Sequence, residues 1–389
     1  METIKDIILS EEQLRSKKSE KWRTYPSDII PAWLADMDYS VAQEIRDILK
    51  ETILQSDLGY SMQPSALGIP NIVAERMLNK YNWILDPNKL EFLNDTVQAI
   101  YIAITQFTHE NDSVIILSPG YPPIYQCLIQ LNRKPICARF TLVGDDVLCL
   151  DIERLIECFN ENVTAMIFCN PHNPTGHVFS LSELLCLAEL AEKFNITIIS
   201  DEIHQDLIYF GQRHIPIASI SKEVAKRTIT ITSANKAFNL AGVGCSVVIF
   251  GSEYYQKKFN LFPLRYRGHI GICQLLGLKT AWSQCESWLQ VVLRQLENNH
   301  NIFFQFIKTK ERLKAILPKA TYFAWVDCTR LRQHDPAKFF LEKGKIAFSS
   351  GIFFGAEFSN FLRINFATSP EILQKICTNI EFALEKLES

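Results

Sequence analysis

Four polar residues follow apolar, strand-like runs of the sequence, and their types are suited to carbonyl chemistry. Lys236 stands in 231-ITSANKAFNLAG-242, after a run rich in β-branched residues. Asp201, Asn173 and Tyr121 follow three other apolar runs. A lysine held rigidly at the end of a buried strand can form a Schiff base with a carbonyl group. The other three side chains could then hold the remaining parts of the carbonyl compound.

Each of these four residues also has an ordinary structural explanation. A lysine at a strand end is more often solvated, and Asp201 is more often a helix cap or an ion-pair partner. Asn173 and Tyr121 stand beside prolines, where turn residues are common. Taken singly, the ordinary explanation is the commoner one. The chemical interpretation depends on all four residues meeting at one edge of one sheet.

Strand-like and helix-like segments alternate between about residues 90 and 250, around these four residues. A helical pattern over 96–107 has the cap candidates Asn94, Asp95 and Thr96, and Ser180 and Glu183 have the spacing of a capping box. Buried strands that alternate with helices predict an α/β domain with a mostly parallel sheet. Ligands collect at the carboxyl ends of such strands. The strand-like runs are 114–117, 165–169, 196–200, 228–232 and 247–250.

The character of the sequence changes after about residue 270. A long helical pattern covers 273–300, strand-like segments follow at 320–329 and 361–368, and an amphipathic helix is predicted over 370–388. This order predicts a second, smaller α+β domain. We expect an N-terminal segment, 1–45, that contributes to the small domain, a large domain over 46–280, and the small C-terminal domain over 281–389.

Pyridoxal phosphate (PLP) is a cofactor that needs this set of groups. Its aldehyde takes a lysine, and a carboxylate such as Asp201 keeps the ring nitrogen protonated, so that the ring accepts electrons. A polar side chain such as Asn173 holds the ring hydroxyl, and an aromatic ring such as Tyr121 covers one face. A helix N-terminus takes the phosphate, and the helix at Thr96 supplies one.

Three motifs resemble those of the PLP-dependent aminotransferases of fold type I: 170-NPHNPTG-176, 201-DEIH-204 and 233-SANKAFNLAG-242. Within that class I/II superfamily, the chain is most similar to the cystathionine β-lyase-like branch, the C–S lyases. The resemblance extends in order over essentially the whole chain. It implies a PLP enzyme with an amino-acid substrate. The further matching segments are 31-PAWLADMDY-39, 59-GY-60, 118-SPGYPPIY-125 and 361-FLRIN-365.

The resemblance implies a role for each residue around the cofactor ring. Lys236 would be the Schiff-base lysine and the proton shuttle. Tyr121 would stack on the ring and is counted with Lys236 as catalytic. Asp201 would pair with the ring nitrogen, and Asn173 would donate to the ring hydroxyl.

The resemblance also implies which residues hold the phosphate and the substrate. Thr96 and Val97, at the start of the helix, would bind the phosphate together with Ser233. Tyr60 would reach the phosphate from the partner subunit, which implies a homodimer with shared sites. Arg363 would clamp the substrate α-carboxylate through a bidentate pair. The backbone near Ala35 would assist that clamp.

Four positions depart from the usual aminotransferase pattern. Gly244 stands eight residues after the lysine, where many aminotransferases carry an arginine for the phosphate. Asn235 precedes the lysine where serine is commoner. Asp95 places a charge beside the expected phosphate site, which is unfavourable unless the carboxylate points away or only caps the helix. His204, included here among the cofactor-binding residues, replaces the usual tyrosine and fits a direct contact and an indirect role equally well.

Two reactions stay open on this scaffold. The preferred interpretation is α,β-elimination, in which cystathionine or a related cysteine S-conjugate gives a thiol, pyruvate and ammonia. The alternative is transamination between an L-amino acid and a 2-oxo acid. The residues read from the sequence do not decide between them, and they do not define the preferred side chain of the substrate.

Composition excludes several other classes of protein. The 389 residues are 47% hydrophobic, which suffices for a large core, and the net charge of -3 has no block of like charge that would favour nucleic acid. The 11 cysteines contain no Cys-x-x-Cys pair, which argues against a zinc site. No segment approaches ~18 uninterrupted apolar residues. We therefore expect a cytoplasmic enzyme without a metal, a nucleic-acid partner or a membrane partner.

Overall fold

An eight-stranded sheet forms the centre of the structure, a computed structural model that describes residues 3–143, 147–160, 162–209 and 211–387. Two smaller sheets complete the strands of these ranges. In chain order the strands are β1 (Ile30–Pro31), β2 (Leu90–Leu93), β3 (Ser113–Ser118), β4 (Lys134–Val143), β5 (Val147–Leu150), β6 (Val163–Cys169), β7 (Thr197–Asp201), β8 (Thr228–Ser233), β9 (Ser246–Phe250), β10 (Lys314–Ile316), β11 (Phe323–Asp327), β12 (Ile346–Ala347), β13 (Ser349–Ser350) and β14 (Phe361–Asn365).

Helices cover both faces of the large sheet and build most of the remainder. Of the three cap candidates for the helix at 96–107, Asp95 is the cap, and Ser180 forms the predicted capping box with Glu183. The helices are α1 (Ile4–Ile7), α2 (Glu11–Ser16), α3 (Gln43–Leu54), α4 (Ile69–Tyr81), α5 (Thr96–Phe107), α6 (Pro122–Gln130), α7 (Ile152–Cys158), α8 (Leu181–Lys193), α9 (Lys222–Lys226), α10 (Glu253–Asn260), α11 (Leu264–Arg267), α12 (Ile272–Gln284), α13 (Glu286–Lys308), α14 (Pro336–Lys343) and α15 (Pro370–Glu385).

The large sheet is mostly parallel, as the alternation of strands and helices predicted. Its order is β2-β9-β8-β7-β6-β3-β4-β5. The five strands from β8 to β4 run parallel, while β9, β2 and β5 pair antiparallel at the two ends. Strands β3, β7 and β8 are buried along their full length, which explains why their sequences are continuous apolar and β-branched runs.

Successive side chains of the central strands enter two different cores. Ile116 and Ile199 pack with α5 on one face, whereas Ile115 and Ile198 pack with α8 on the other. This alternation follows from the two-residue period of a strand. Helices thus pack against both faces of the sheet and hold its strands in place, so that the carboxyl ends of the parallel strands lie at one edge.

The second sheet belongs to the C-terminal part of the chain and has the order β10-β11-β14-β13, all antiparallel. The N-terminal segment joins this part, because Ile30 in β1 pairs with Ile346 in β12. The helix predicted over 273–300 is two helices, α12 and α13, which meet at Cys285. The predicted domain boundary at residue 280 lies inside α12, and the three-part division stays a prediction. Within the described ranges, no helix is long and apolar enough to span a membrane.

Candidate active site

The carboxyl ends of four neighbouring strands deliver polar side chains to one cavity. Tyr121 follows β3, Asn173 follows β6, Asp201 ends β7 and Lys236 follows β8. The structure therefore brings together the four residues on which the chemical interpretation depends. The cavity lining also includes Thr96 and Val97 of α5, Ala35 and His204, all named from the sequence, together with Asp95, Cys169, Ile203, Asn235 and Ala241.

Lys236 reaches back to the N-terminal segment. Its Nζ donates to the carbonyl oxygen of Ala35 at 3.2 Å. Burial, and next the positive charge of Arg363, lower the pKa of the Lys236 amine, while three carboxylates oppose this shift. A lowered pKa gives more of the neutral amine, which is the form that attacks a carbonyl carbon. The Ala35 carbonyl, an acceptor, serves the lysine and cannot bind a carboxylate.

Asp201 is a buried carboxylate without a cation within 4 Å among the described residues. Its Oδ1 accepts from the backbone N–H of Ile203 at 3.2 Å. Burial raises the pKa of Asp201 to about 6, against the effects of the Ile203 hydrogen bond and of Lys236. A protonated ring nitrogen placed beside this carboxylate would supply the missing positive charge.

Arg363 is a buried cation whose surroundings offer only neutral acceptors. Its guanidinium donates to Asn173 Oδ1 at 3.2 Å, to the Trp33 carbonyl at 3.0 Å and to Ser349 Oγ at 3.3 Å. It lies over the ring of Phe323, 4.2 Å from the centroid. Burial lowers the pKa of Arg363 to about 10. No carboxylate of the described ranges lies within 4 Å, so the guanidinium is suited to a carboxylate that a ligand brings.

Asn173 links Arg363 to the rest of the cavity. Its amide oxygen accepts from the guanidinium, which leaves the amide nitrogen to donate. One side chain can thus hold the arginine on one side and a ring hydroxyl on the other. The predicted role for Asn173 needs this orientation.

At the expected phosphate end, Asp95 caps the helix, as the sequence allowed, whereas the Ser233 hydroxyl lies elsewhere than expected. Asp95 does not point away, because its Oδ1 caps α5 and accepts from the backbone N–H of Val97 at 2.6 Å and of Gln98 at 3.1 Å. The Ser233 hydroxyl donates to the Cys245 carbonyl at 2.8 Å and does not line the cavity.

Tyr60 does not line the cavity of its own chain either. Its side chain is 96% exposed, and its ring lies edge-on to His269 with centroids 5.5 Å apart. Any contact of Tyr60 with a cofactor therefore has to be made in another copy of the chain.

Two departures from the aminotransferase pattern, Asn235 and Gly244, are neighbours in space. A Cβ atom at position 244 would lie 2.5 Å from the Asn235 Nδ2. The Asn235 Oδ1 accepts from the Cys245 N–H at 3.3 Å, which fixes the amide in that place. The asparagine therefore occupies the space where an arginine side chain at 244 would begin.

His204 is a neutral histidine at the wall of the cavity. Burial, and next the charges of Lys236 and Arg363, lower its pKa well below the usual value. The rings of Tyr322 and Phe323 meet it edge-on, and its buried Nδ1 has no hydrogen-bond partner in the described ranges. A neutral imidazole is compatible with both roles considered from the sequence, and the choice between them stays open.

Cys169 and Ile203 line the cavity but were missed by the analysis of the sequence. Cys169 is the last residue of β6 and pairs in register with Asp201 of β7, so it lies at the same sheet edge. The sequence signal for the site is a polar residue after a strand, whereas Cys169 is weakly polar and Ile203 is apolar. Counting positions along the strands would have found Cys169.

Comparison with known proteins connects this cavity to a family. The family model described as aminotransferase class I and II matches residues 36–380. The chain belongs to the class I and II aminotransferase family. The resemblance seen in the sequence motifs, and the fold type I architecture, are thereby confirmed.

Several known proteins align with this aminotransferase-family chain over nearly its whole length. The cystathionine beta-lyase PatB of Bacillus subtilis is 31% identical over 363 residues, 92% of this chain and 93% of the relative. The cystathionine beta-lyase of Corynebacterium glutamicum is 28% identical, over 94% and 96%. The solved structure of cystalysin from Treponema denticola, which contains PLP, has a TM-score of 0.91 with 28% identity, over 96% and 97%. These relatives place the chain in the C–S lyase branch of the family.

Pyridoxal phosphate is the cofactor of this family member. The described residues fit it on their own chemistry: Lys236 is a half-buried amine with a lowered pKa, and Asp201 is a buried carboxylate with no cation within 4 Å in the described ranges. Both stand in one cavity with the N-terminus of α5. Lys236 would hold the aldehyde, Asp201 the ring nitrogen and Asn173 the ring hydroxyl.

Proposed function

We propose that this protein is a C–S β-lyase, which cleaves cystathionine or a related cysteine S-conjugate to a thiol, pyruvate and ammonia. The observation that carries the proposal is the guanidinium of Arg363, which is buried without a carboxylate partner in the described ranges and donates to Asn173, a residue that lines the cavity with Lys236. Such a cation suits the α-carboxylate of an amino acid. The similarity to named cystathionine β-lyases supports elimination as the reaction.

Three residues of the chain have separate roles in the proposed reaction. Bound PLP supplies an aldehyde for the substrate amine and a ring that accepts electrons. Arg363 binds the substrate carboxylate and orients Cα, and Asp201 holds the proton on the ring nitrogen. Lys236 would remove the Cα proton. The Cβ–S bond then breaks, its electron pair leaves with the thiolate, and water releases pyruvate and ammonia.

The environment of Lys236 suits it to the task of a base. Burial and the charge of Arg363 lower its pKa, so its neutral form is more available near neutral pH. The hydrogen bond to the Ala35 carbonyl fixes the direction of the amine. A general base needs both the right protonation state and the right position.

A direct assay tests the proposal. Purified holoprotein is given L-cystathionine alone, and pyruvate and free thiol are measured together. We expect both products in equal amounts, and neither from Lys236→Ala, which also loses the visible absorption of the bound cofactor. The assignment of Lys236 is wrong if Lys236→Ala keeps both the absorption and the turnover, and the proposed reaction is wrong if the wild type releases no pyruvate from L-cystathionine.

The second candidate is transamination, and the description of the matching family favours keeping it. In that reaction Lys236 returns its proton to a different carbon, and a 2-oxo acid accepts the amino group. The same assay separates the two reactions. Turnover that needs an added 2-oxo acid, without release of thiol, would favour the aminotransferase.

We further propose a two-fold homodimer in which Tyr60 from each subunit reaches the phosphate site of the partner. The exposed Tyr60 lies beside His269, and the exposed Met62 and Leu264 line one surface groove together with His269. Contiguous exposed apolar side chains are typical of subunit interfaces.

This exposed surface adjoins the phosphate end of the cavity. The side-chain Nε2 of Gln98 in α5 donates to the backbone carbonyls of Tyr266 and Arg267 at 3.1 and 3.0 Å. A subunit that covered the surface would therefore meet the N-terminal turn of α5. The cytoplasmic location stays a prediction.

A further inference from the structure

Asp95 places a negative charge on the backbone donors that face the cofactor cavity. Its Oδ1 accepts from Val97 N at 2.6 Å and from Gln98 N at 3.1 Å, and these are amides of the first turn of α5. Asp95, Thr96 and Val97 all line the cavity. The carboxylate thus occupies two of the backbone donors of a helix N-terminus that would otherwise receive a phosphate.

Little positive charge is available to offset this carboxylate. Among the described residues that line the cavity, Lys236 is the one cation, and it serves the cofactor aldehyde. Gly244 has no side chain that could carry a positive charge, and the Asn235 amide lies where such a side chain would begin. Asp201 adds a second carboxylate to the same lining. A phosphate dianion therefore enters a site that is already negative at its anchoring helix.

We propose that Asp95 competes with the cofactor phosphate for the first turn of α5 and weakens the binding of PLP by this chain. The phosphate gains the Val97 and Gln98 amides only when the carboxylate gives them up. The aspartate stabilises the helix in the protein without cofactor, since a cap satisfies the same donors. Asp95 thus sets how much PLP is needed to fill the site. This inference rests on the cofactor and is independent of which reaction the enzyme catalyses.

Asp95→Asn is the test variant, because asparagine keeps the shape and the capping ability of aspartate and removes its charge. The purified protein is dialysed to equilibrium against graded concentrations of PLP, and bound cofactor is read from its visible absorption. We expect Asp95→Asn to lower the Kd for PLP about ten-fold or more, and ten-fold corresponds to ~1.4 kcal/mol. Asp95→Ser, another good cap, should shift the Kd in the same direction.

Two controls isolate the phosphate as the cause. Pyridoxal has the same ring and aldehyde without the phosphate, so its Kd should change by less than about two-fold in Asp95→Asn, well under 1.4 kcal/mol. Asp335→Asn alters an exposed aspartate that caps α14 by accepting from Lys338 N at 3.1 Å, and it should leave both constants unchanged.

Two results would overturn the proposal. One is an unchanged or raised Kd for PLP in both Asp95→Asn and Asp95→Ser. The other is an equal gain in affinity for PLP and pyridoxal, which would place the effect on the ring and not on the phosphate. Neither readout depends on catalysis, so failure of the proposed lyase reaction would leave this test intact.

Discussion

Replacing Asp201 by asparagine should stabilise the protein without cofactor while it impairs cofactor binding. Asp201 is buried at the end of β7 without a cation, and burial raises its pKa to about 6 from the usual 3.8. Since one pKa unit is worth 1.36 kcal/mol, keeping this carboxylate ionised in the fold costs about 3 kcal/mol. Asparagine has nearly the same shape and carries no charge.

The sign of the pH dependence follows from linkage. The folded protein binds the Asp201 proton more tightly than the unfolded chain does, so this group removes stability as pH rises from about 4 to about 6. The excess stability of Asp201→Asn over the wild type should therefore be largest at pH 8. It should fall by about half near pH 5, where the folded wild type carries the proton.

Urea unfolding of both proteins without cofactor, at pH 5 and pH 8, measures this difference. Comparing the two proteins at each pH cancels the contributions of all other titrating groups. In saturating PLP the wild type should gain more stability than the variant, because the ring nitrogen gives Asp201 its missing partner. A variant no more stable than the wild type at pH 8, or a difference independent of pH, would refute the reasoning.

Two further predictions concern the substrate and the subunits. Arg363→Lys should raise KM for the amino acid about 10- to 100-fold in steady-state kinetics, because lysine cannot form a bidentate pair with the α-carboxylate; the exposed Arg330→Lys is the control, and an unchanged KM would contradict the role. Lys236→Ala and Tyr60→Ala should each be inactive, yet activity should return when the two are unfolded together and refolded as a mixture. In a mixed dimer one site then has both defects and the other has neither. No recovery would argue against a site that uses Tyr60 from the partner subunit.

Much of the fold could be predicted because burial leaves a clear trace in the sequence. The run 228–232 is apolar or β-branched throughout, and the structure has β8 at Thr228–Ser233. Ser180 and Glu183 predicted a capping box that the structure contains. Such signals are local, so a single sequence carries them. Strands β4 and β5 were missed, since β4 mixes polar with apolar residues and continues into an antiparallel hairpin.

The candidate site could be predicted as a set of residues but not as a set of contacts. Lys236, Asp201 and Asn173 had to meet because parallel strands end at one edge. The fit between Asn235 and Gly244 could not be foreseen, since it depends on a distance between side chain and backbone across a loop. The direction of the Asp95 carboxylate depends on a helix cap, and both directions were compatible with the sequence.

The pairing of Ile30 with Ile346 has a consequence for the order in which the protein is completed. A ribosome makes the chain from its N-terminus, so residues 113–250 of the large sheet can pair while the small sheet is still unmade. The segment that carries Ala35 has to wait for about three hundred further residues before β12 exists. The Lys236 amine obtains its fixed partner only after that closure. A nascent chain can therefore have its central strands paired before the active site is complete. Loss of the C-terminal elements would remove the pairing that holds the Ala35 segment, and with it the hydrogen-bond partner of Lys236.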